Sequence, residues 1–145
     1  MIPVEASRTP IHPRLAATAP PEVRIRRIIE DKDRALRAKD LEGVLAHYDA
    51  DLVFFDPGSE PAPARIRGSR GLRRIWQACM PHLPSDFHIE TRDLVITVAG
   101  ELAVAHRLFR VPEVARNDDG WIREITILRF AEGEWRIVHE HCSVA

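Results

Sequence analysis

The chain has 145 residues, 45% of them apolar and 30% charged, with 21 basic against 22 acidic residues and a formal charge of −1. That is one soluble globular domain's worth of sequence, without the basic excess of a phosphate-binding protein, which argues against a nucleic-acid partner. No apolar run approaches the roughly 18 residues of a membrane span, and Met1-Ile2-Pro3-Val4-Glu5 lacks the basic-then-apolar layout of a secretory signal, so the expectation is a cytoplasmic protein without a membrane partner.

Residues 1–21 hold Pro3, Pro10, Pro13, Pro20 and Pro21 without sustained periodicity and predict an extended or disordered arm, leaving 22–145 as the folded domain. From Glu22 the period becomes helical: Ile25, Ile28, Ile29, Ala35 and Leu36 form a stripe that runs to about Ala38. Asp40 stands where an N-cap belongs, ahead of a short second helix with Leu41, Val44, Leu45 and Tyr48 on one side. Leu52-Val53-Phe54-Phe55 is a strand stopped by Asp56-Pro57-Gly58, and alternation places Leu52, Phe54 and Asp56 on one face. A Pro-containing loop from Glu60 to Arg67, with a brief strand at Ile66, precedes a third helix. Its predicted cap is Ser69, its stripe Leu72, Ile75, Trp76 and Cys79, and its stop Pro81 with Pro84.

Beyond Phe87 the pattern is β throughout. Phe87–Val98, Leu102–Val111, Trp121–Phe130 and Trp135–Cys142 are separated by turn residues, which predicts a meander of long antiparallel strands. Helices first and a meander last make an α+β plan, with helices on one face of a curved sheet. Two strands read as apolar on both faces: Ile125 and Ile127 oppose Leu128 and Phe130, and Trp135 and Ile137 oppose Val138. Helices cover one face, so the other calls for a second copy of the chain, a homodimer through Ile125, Ile127, Trp135 and Ile137.

Four constellations can carry chemistry. Lys32 falls near the centre of the first helix's apolar stripe, either as a cation in a cavity that stabilises an oxyanion or as a lysine whose head reaches back to water. Asp56, at the end of a buried strand, reads either as a general base or as a turn residue bonding backbone amides. His139 and His141 point the same way and have metal-ligand character, but no third ligand accompanies them, so the expectation is structural histidines and no metal. Finally, His106, Leu108 and Arg110 on one strand, Glu124, Thr126 and Leu128 on the next, and Val138, Glu140 and Cys142 on the last would line a partly apolar pocket if they face the helices. The alternative for that set is buried ion pairs such as Arg110 with Glu124. With no Cys-x-x-Cys spacing, Cys79 and Cys142 are expected to be reduced and buried, and no Gly-rich phosphate loop implies a redox cofactor.

The stretch Ala38–Tyr48 (AKDLEGVLAHY), then Asp51–Pro57 (DLVFFDP), then Arg67-Gly68 before a helix resembles the SnoaL-like and ketosteroid-isomerase-like branch of the nuclear-transport-factor-two-like superfamily. The ending Gly133–Ser143 (GEWRIVHEHCS) is similar to SnoaL-like proteins and to the association (hub) domain of calcium/calmodulin-dependent kinase. The resemblance spans about residues 22–144. It implies a cone, a curved antiparallel sheet wrapped around a long N-terminal helix in the cystatin-like manner, with a pocket at the open end and a dimer on the outer face. Asp56 would fall where steroid isomerases keep their proton-shuttling base. Where those enzymes hold an oxyanion with a Tyr and a protonated Asp, this chain would present Lys32 and Thr126.

The function expected is therefore binding of a small organic molecule with a carbonyl or acidic group. Lys32 and Asp56 are the catalytic candidates. Phe54, Trp76, His106, Arg110, Thr126, Glu140 and Cys142 are the pocket candidates, for isomerase- or cyclase-type proton transfer at carbon. The alternative is a non-catalytic module that binds a ligand or builds oligomers.

Overall fold

The computed structural model describes residues 18–56, 64–115 and 119–145, without the side chains of Asp56 and Ala64. The predicted arm therefore lies, up to residue 17, outside the described residues, as do the Pro57-Gly58 turn and the Asn117-Asp118 turn. Helix α1 (Pro21–Arg37) opens with proline in its first turn, where the missing N–H costs nothing, and Glu22 near its start and Arg34 and Arg37 near its end complement the helix dipole. Its buried face is Ile25, Ile29 and Lys32. Lys39, at φ 53°, terminates it in the left-handed region. There the Lys39 N–H donates to the Leu36 carbonyl (3.0 Å) and the Asp40 N–H to that of Ala35 (2.8 Å), a paired closure of the last turn.

Asp40 does two jobs, closing α1 through its backbone and capping α2 (Leu41–Leu45), where its carboxylate accepts from the Gly43 N–H at 3.0 Å. Asp40→Ala is expected to destabilise the fold by about 1 kcal/mol, read as a lower urea midpoint with an unchanged slope.

Strand β1 (Tyr48–Asp56) starts at Tyr48, earlier than the sequence pattern places it, so Tyr48 is a strand residue and not the end of a helical stripe. Strand β2 (Ala64–Arg67) pairs with it and runs directly into α3 (Gly68–Cys79). Ser69 does not cap that helix. Its N-cap is Arg67, without a side-chain bond, and the turn is made by Gly68 at φ 79°, where a Cβ would come 3.3 Å from the Ala50 carbonyl oxygen. A 3-10 turn (Met80–His82) leads to β3 (Glu90–Ala99), β4 (Leu102–Arg110), β5 (Ile122–Ala131) and β6 (Glu134–Val144).

The six strands form one curved sheet in the order β2-β1-β6-β5-β4-β3. It is mixed, not wholly antiparallel as expected: β1 lies parallel to β6 while every other pair is antiparallel. The core under α1 and α3 is built from Ile25, Ile29, Leu52, Leu72, Leu128 and Ile137, each at most 2% exposed.

Trp135 and Ile137 belong to this core, at 6% and 0% exposed, and not to the outer face where straight alternation would put them. The reason is a bulge. In the β5–β6 ladder Ile127 pairs with His139 and the next residue, Leu128, with Ile137, so Val138 is an extra residue that reverses the alternation. Trp135 and Ile137 on one side of it, and Glu140 and Cys142 on the other, all face inward. Ile125 and Ile127 do face outward, Ile125 at 42% exposure, beside exposed Val95, Leu102 and Val104. Among the described residues, no helix is long and apolar enough to cross a membrane.

Candidate functional site

Side chains from α1, β1, β4, β5 and β6 converge on one buried polar cluster. The Lys32 Nζ donates to Glu140 Oε2 at 2.9 Å and to Glu124 Oε2 at 3.5 Å. Glu140 also accepts from the Tyr48 hydroxyl at 2.8 Å and from Thr126 Oγ1 at 3.2 Å. Arg107 donates from Nε to Glu124 Oε1 at 2.8 Å and grips Asp33 with its other edge at 2.6 and 2.9 Å. Lys32, Tyr48, Arg107, Glu124, Thr126 and Glu140 are all buried, so these bonds replace hydration that the groups have lost.

The cluster forms the polar end of a cavity of about 250 Å³. The rest of the lining is apolar and comes from both layers: Phe54 on β1, Leu72, Ile75 and Trp76 on α3, Phe109 on β4 and Ile122 on β5. An apolar chamber with polar groups gathered at one end suits a small molecule with one polar head.

Burial divides the protonation of these groups. Desolvation alone would lower the Lys32 ammonium, but Glu124 and Glu140 beside it hold it well above the ordinary lysine value. Desolvation would raise Glu124, yet Lys32 and Arg107 together carry it below the usual carboxylate range. Glu140 goes the other way, because burial and the neighbouring Glu124 charge outweigh the pull of Lys32. Burial and the Glu140 charge push the Tyr48 phenol well up, and burial pushes the Cys142 thiol up.

Of the residues expected at the site, Lys32, Phe54, Trp76, Thr126, Glu140 and Cys142 do come together around the cluster and cavity. The Lys32 head does not reach water, its side chain being 7% exposed. Asp56 ends β1, paired through its backbone with Ala64 and two residues beyond Phe54, and its side chain is outside the described residues. His106 and Arg110 are not in the pocket. Strand β4 runs in the opposite phase from that expected, with Ala103, Ala105 and Arg107 buried and His106 exposed. Arg110 instead pairs with Glu90 (2.6 Å) and lies over the Trp121 ring. Glu124 does form a buried ion pair, but with Arg107 and not with Arg110.

His139 and His141 lie outward on β6 and pack against Phe55, with ring centroids 5.7 and 5.8 Å apart. Cys79 and Cys142 are free thiols, but Cys79 is exposed rather than buried. Glu124, Glu140 and Cys142 bring ligand atoms within 4.8 Å of one another. The Lys32 ammonium already bridges the two carboxylates, so the protein's own lysine occupies the position a metal cation would take.

Three members of the cluster escape the sequence reading. Arg107 is masked because its inward companions, Ala103 and Ala105, are small, while the outward Val104 and Leu108 look more core-like. Tyr48 is absorbed into a helical stripe that ends three residues before it. Asp33 carries a weak signal, its place beside Lys32 at the border of the apolar stripe of α1.

The sequence profile of the SnoaL-like domain family matches residues 25–145. Among solved structures, an NTF2-like protein of unknown function from Pseudomonas putida is 29% identical, each chain covered to 86%, with a TM-score of 0.75. A candidate ketosteroid isomerase from Parabacteroides distasonis is 25% identical over 81% of this chain and 85% of its own, with a TM-score of 0.61. A candidate calcium/calmodulin-dependent protein kinase type II association domain from Thiobacillus denitrificans shares the fold at 14% identity, over 81% of this chain and 92% of its own, with a TM-score of 0.66. No curated protein matches the chain.

Proposed function

The chain belongs to the SnoaL-like domain family, and we propose that it binds a small neutral carbonyl compound and moves a proton at the carbon next to the carbonyl. The observation that carries this reading is the Lys32–Glu140–Tyr48 cluster at the end of an apolar cavity. Lys32 has three N–H groups and two carboxylate acceptors, which leaves one for a ligand oxygen. Glu140 in its acid form donates to the Tyr48 oxygen, and the phenol proton then turns to the same ligand oxygen. The two donors hold the charge that develops there when the carbon loses its proton. Steroid isomerases also combine a Tyr with a protonated carboxyl, but there both donate to the oxyanion, whereas here the acid on β6 acts through the tyrosine on β1.

Asp56 is the proposed base, taking the proton from one carbon and returning it to another, so that a double bond migrates and no other reagent is consumed. With Glu140 in its acid form, Lys32 and Arg107 are matched by Asp33 and Glu124, so the cavity floor has no spare positive charge for an acidic ligand and a neutral one is preferred. At about 250 Å³ the cavity lies below the roughly 300 Å³ lower bound of drug-sized sites, which favours one or two rings over a four-ring steroid. The candidate isomerase from Parabacteroides distasonis supports the reaction type. The cavity itself favours ligand chemistry over an assembly-only role, which asks for an interior filled by side chains.

The test is turnover of a β,γ-unsaturated cyclic ketone of one ring, followed through the absorbance of the conjugated enone. Wild type is expected to convert it, and Asp56→Asn to slow conversion by roughly 10²–10⁴-fold with the fold intact. Neither turnover nor ligand-induced stabilisation by any small neutral ketone would overturn the proposal.

The proposal includes a homodimer through the outer sheet face. On that face Val104 pairs with Ile127, and Val95 and Ile125 flank His106 in the adjacent row; Val95, Val104 and Ile125 are each at least 39% exposed. Ile127→Glu, which would place a charge in that contact, is expected to weaken the dimer by roughly 10²-fold or more while ligand binding is unchanged. Sedimentation equilibrium reads the outcome, and an unaffected dimer places the contact elsewhere.

A further inference from the structure

The cluster contains the buried carboxyls of Glu124 and Glu140, the partly exposed carboxyl of Asp33 gripped by Arg107, and two buried cations, Lys32 and Arg107. In a low-dielectric interior the unmatched negative charge is costly, and one bound proton removes it. The geometry decides which carboxyl holds that proton. Glu124 has a cation on each oxygen, Arg107 Nε at 2.8 Å on one and Lys32 Nζ at 3.5 Å on the other. Glu140 has a single cation, shared with Glu124, and its remaining donors are the neutral hydroxyls of Tyr48 and Thr126. Arg107 is itself fixed in place, gripped by Asp33 through two bonds and donating to Thr91 Oγ1 at 3.0 Å. Its side chain is 3% exposed, so water does not dilute its effect.

We infer that Arg107 is a positioning residue: by holding Glu124 as the anion, it leaves the cluster's one exchangeable proton on Glu140, against Tyr48. The opposite displacements of the two glutamates from ordinary carboxyl behaviour agree with this division. The inference deepens the proposed function, since an acid-form Glu140 is what frees the Tyr48 hydroxyl for a ligand. The position of the proton, however, is readable without any substrate.

The experiment is carbon NMR of protein labelled at the glutamate side-chain carboxyls, titrated with pH. In the wild type one carboxyl signal is expected to stay at the protonated position at a pH where the surface glutamates are ionised, and to vanish in Glu140→Gln. In Arg107→Gln the Glu124 signal is expected to shift toward the protonated position at that same pH, while Arg107→Lys, which keeps a cation there, restores the wild-type pattern. Glu124→Gln removes one carboxyl from the set, and the Glu140 signal is then expected to titrate at lower pH. A Glu140 signal that ionises together with the surface glutamates overturns the inference. So does a Glu124 signal unmoved by Arg107→Gln or, should that variant fail to fold, a Glu140 signal unmoved by Glu124→Gln. Ketone turnover without the Glu140 displacement would sink the inference and leave the proposed function standing, and the displacement without turnover would do the reverse.

Discussion

Lys32→Met is expected to lower stability by about 3–5 kcal/mol, the usual loss when one partner of a buried ion pair is removed. The methionine fills the space of the lysine stem but leaves the Glu124 and Asp33 carboxylates with only Arg107 to offset them, and Glu140 without its ammonium partner. Most of the loss is the cost of that uncompensated charge and not the worth of the original contact. In a domain of this size the melting temperature should fall on the order of 10 °C or more. The double variant Lys32→Met/Glu140→Gln should recover part of the loss, because the two sites are coupled. A single-variant loss below about 1 kcal/mol would mean that the ammonium reaches solvent, as for an exposed pair.

Glu140→Gln is expected to reduce ketone turnover by roughly 10²–10³-fold while the fold persists, because the acid proton that turns the Tyr48 hydroxyl toward the ligand is lost and with it one well-held donor to the developing oxyanion. The same variant carries a signature in stability against pH. Folding raises the Glu140 carboxyl above its unfolded value, so between those two values the folded chain holds a proton that the unfolded chain has lost. Stability therefore falls as pH rises from the ordinary carboxyl range through the folded value of Glu140. Glu124 works in the opposite sense, since its lowered carboxyl contributes stability above the unfolded value that is lost as pH falls through the folded one. Urea midpoints measured across the acid-to-neutral range should show the Glu140 decline in wild type and a flat profile there in Glu140→Gln. Turnover within a factor of two of wild type would remove Glu140 from the chemistry.

Much of this architecture is legible in the residues because helical and strand periods are strong signals when one face must be buried. The stripe of α1 locates Lys32 inside, and the cap at Asp40 locates α2. On β5, simple alternation correctly aims Glu124, Thr126 and Leu128 inward. The failures come where alternation is ambiguous or interrupted. On β4 the inward residues Ala103 and Ala105 are smaller than their outward neighbours, so hydrophobic weight selects the wrong face and, with it, Arg110 in place of Arg107. On β6 the extra residue at Val138 changes face assignments for half the strand, and no local residue type announces it. The parallel pairing of β1 with β6 is a long-range event with no local signature at all.

That extra residue makes the length of β6 matter more than most of its side chains. Upstream of Val138 the strand supplies a dry plug, Trp135 and Ile137, and downstream it supplies the ionisable floor, Glu140 and Cys142, on one continuous concave surface. Shortening the strand by one position there would exchange the two sides of everything that follows. The imidazoles of His139 and His141 would turn into the hollow and the carboxyl of Glu140 would turn out to water. Relatives of this chain can therefore vary the chemistry of their hollow by an insertion or deletion at this point, without altering a single residue of the helices above it.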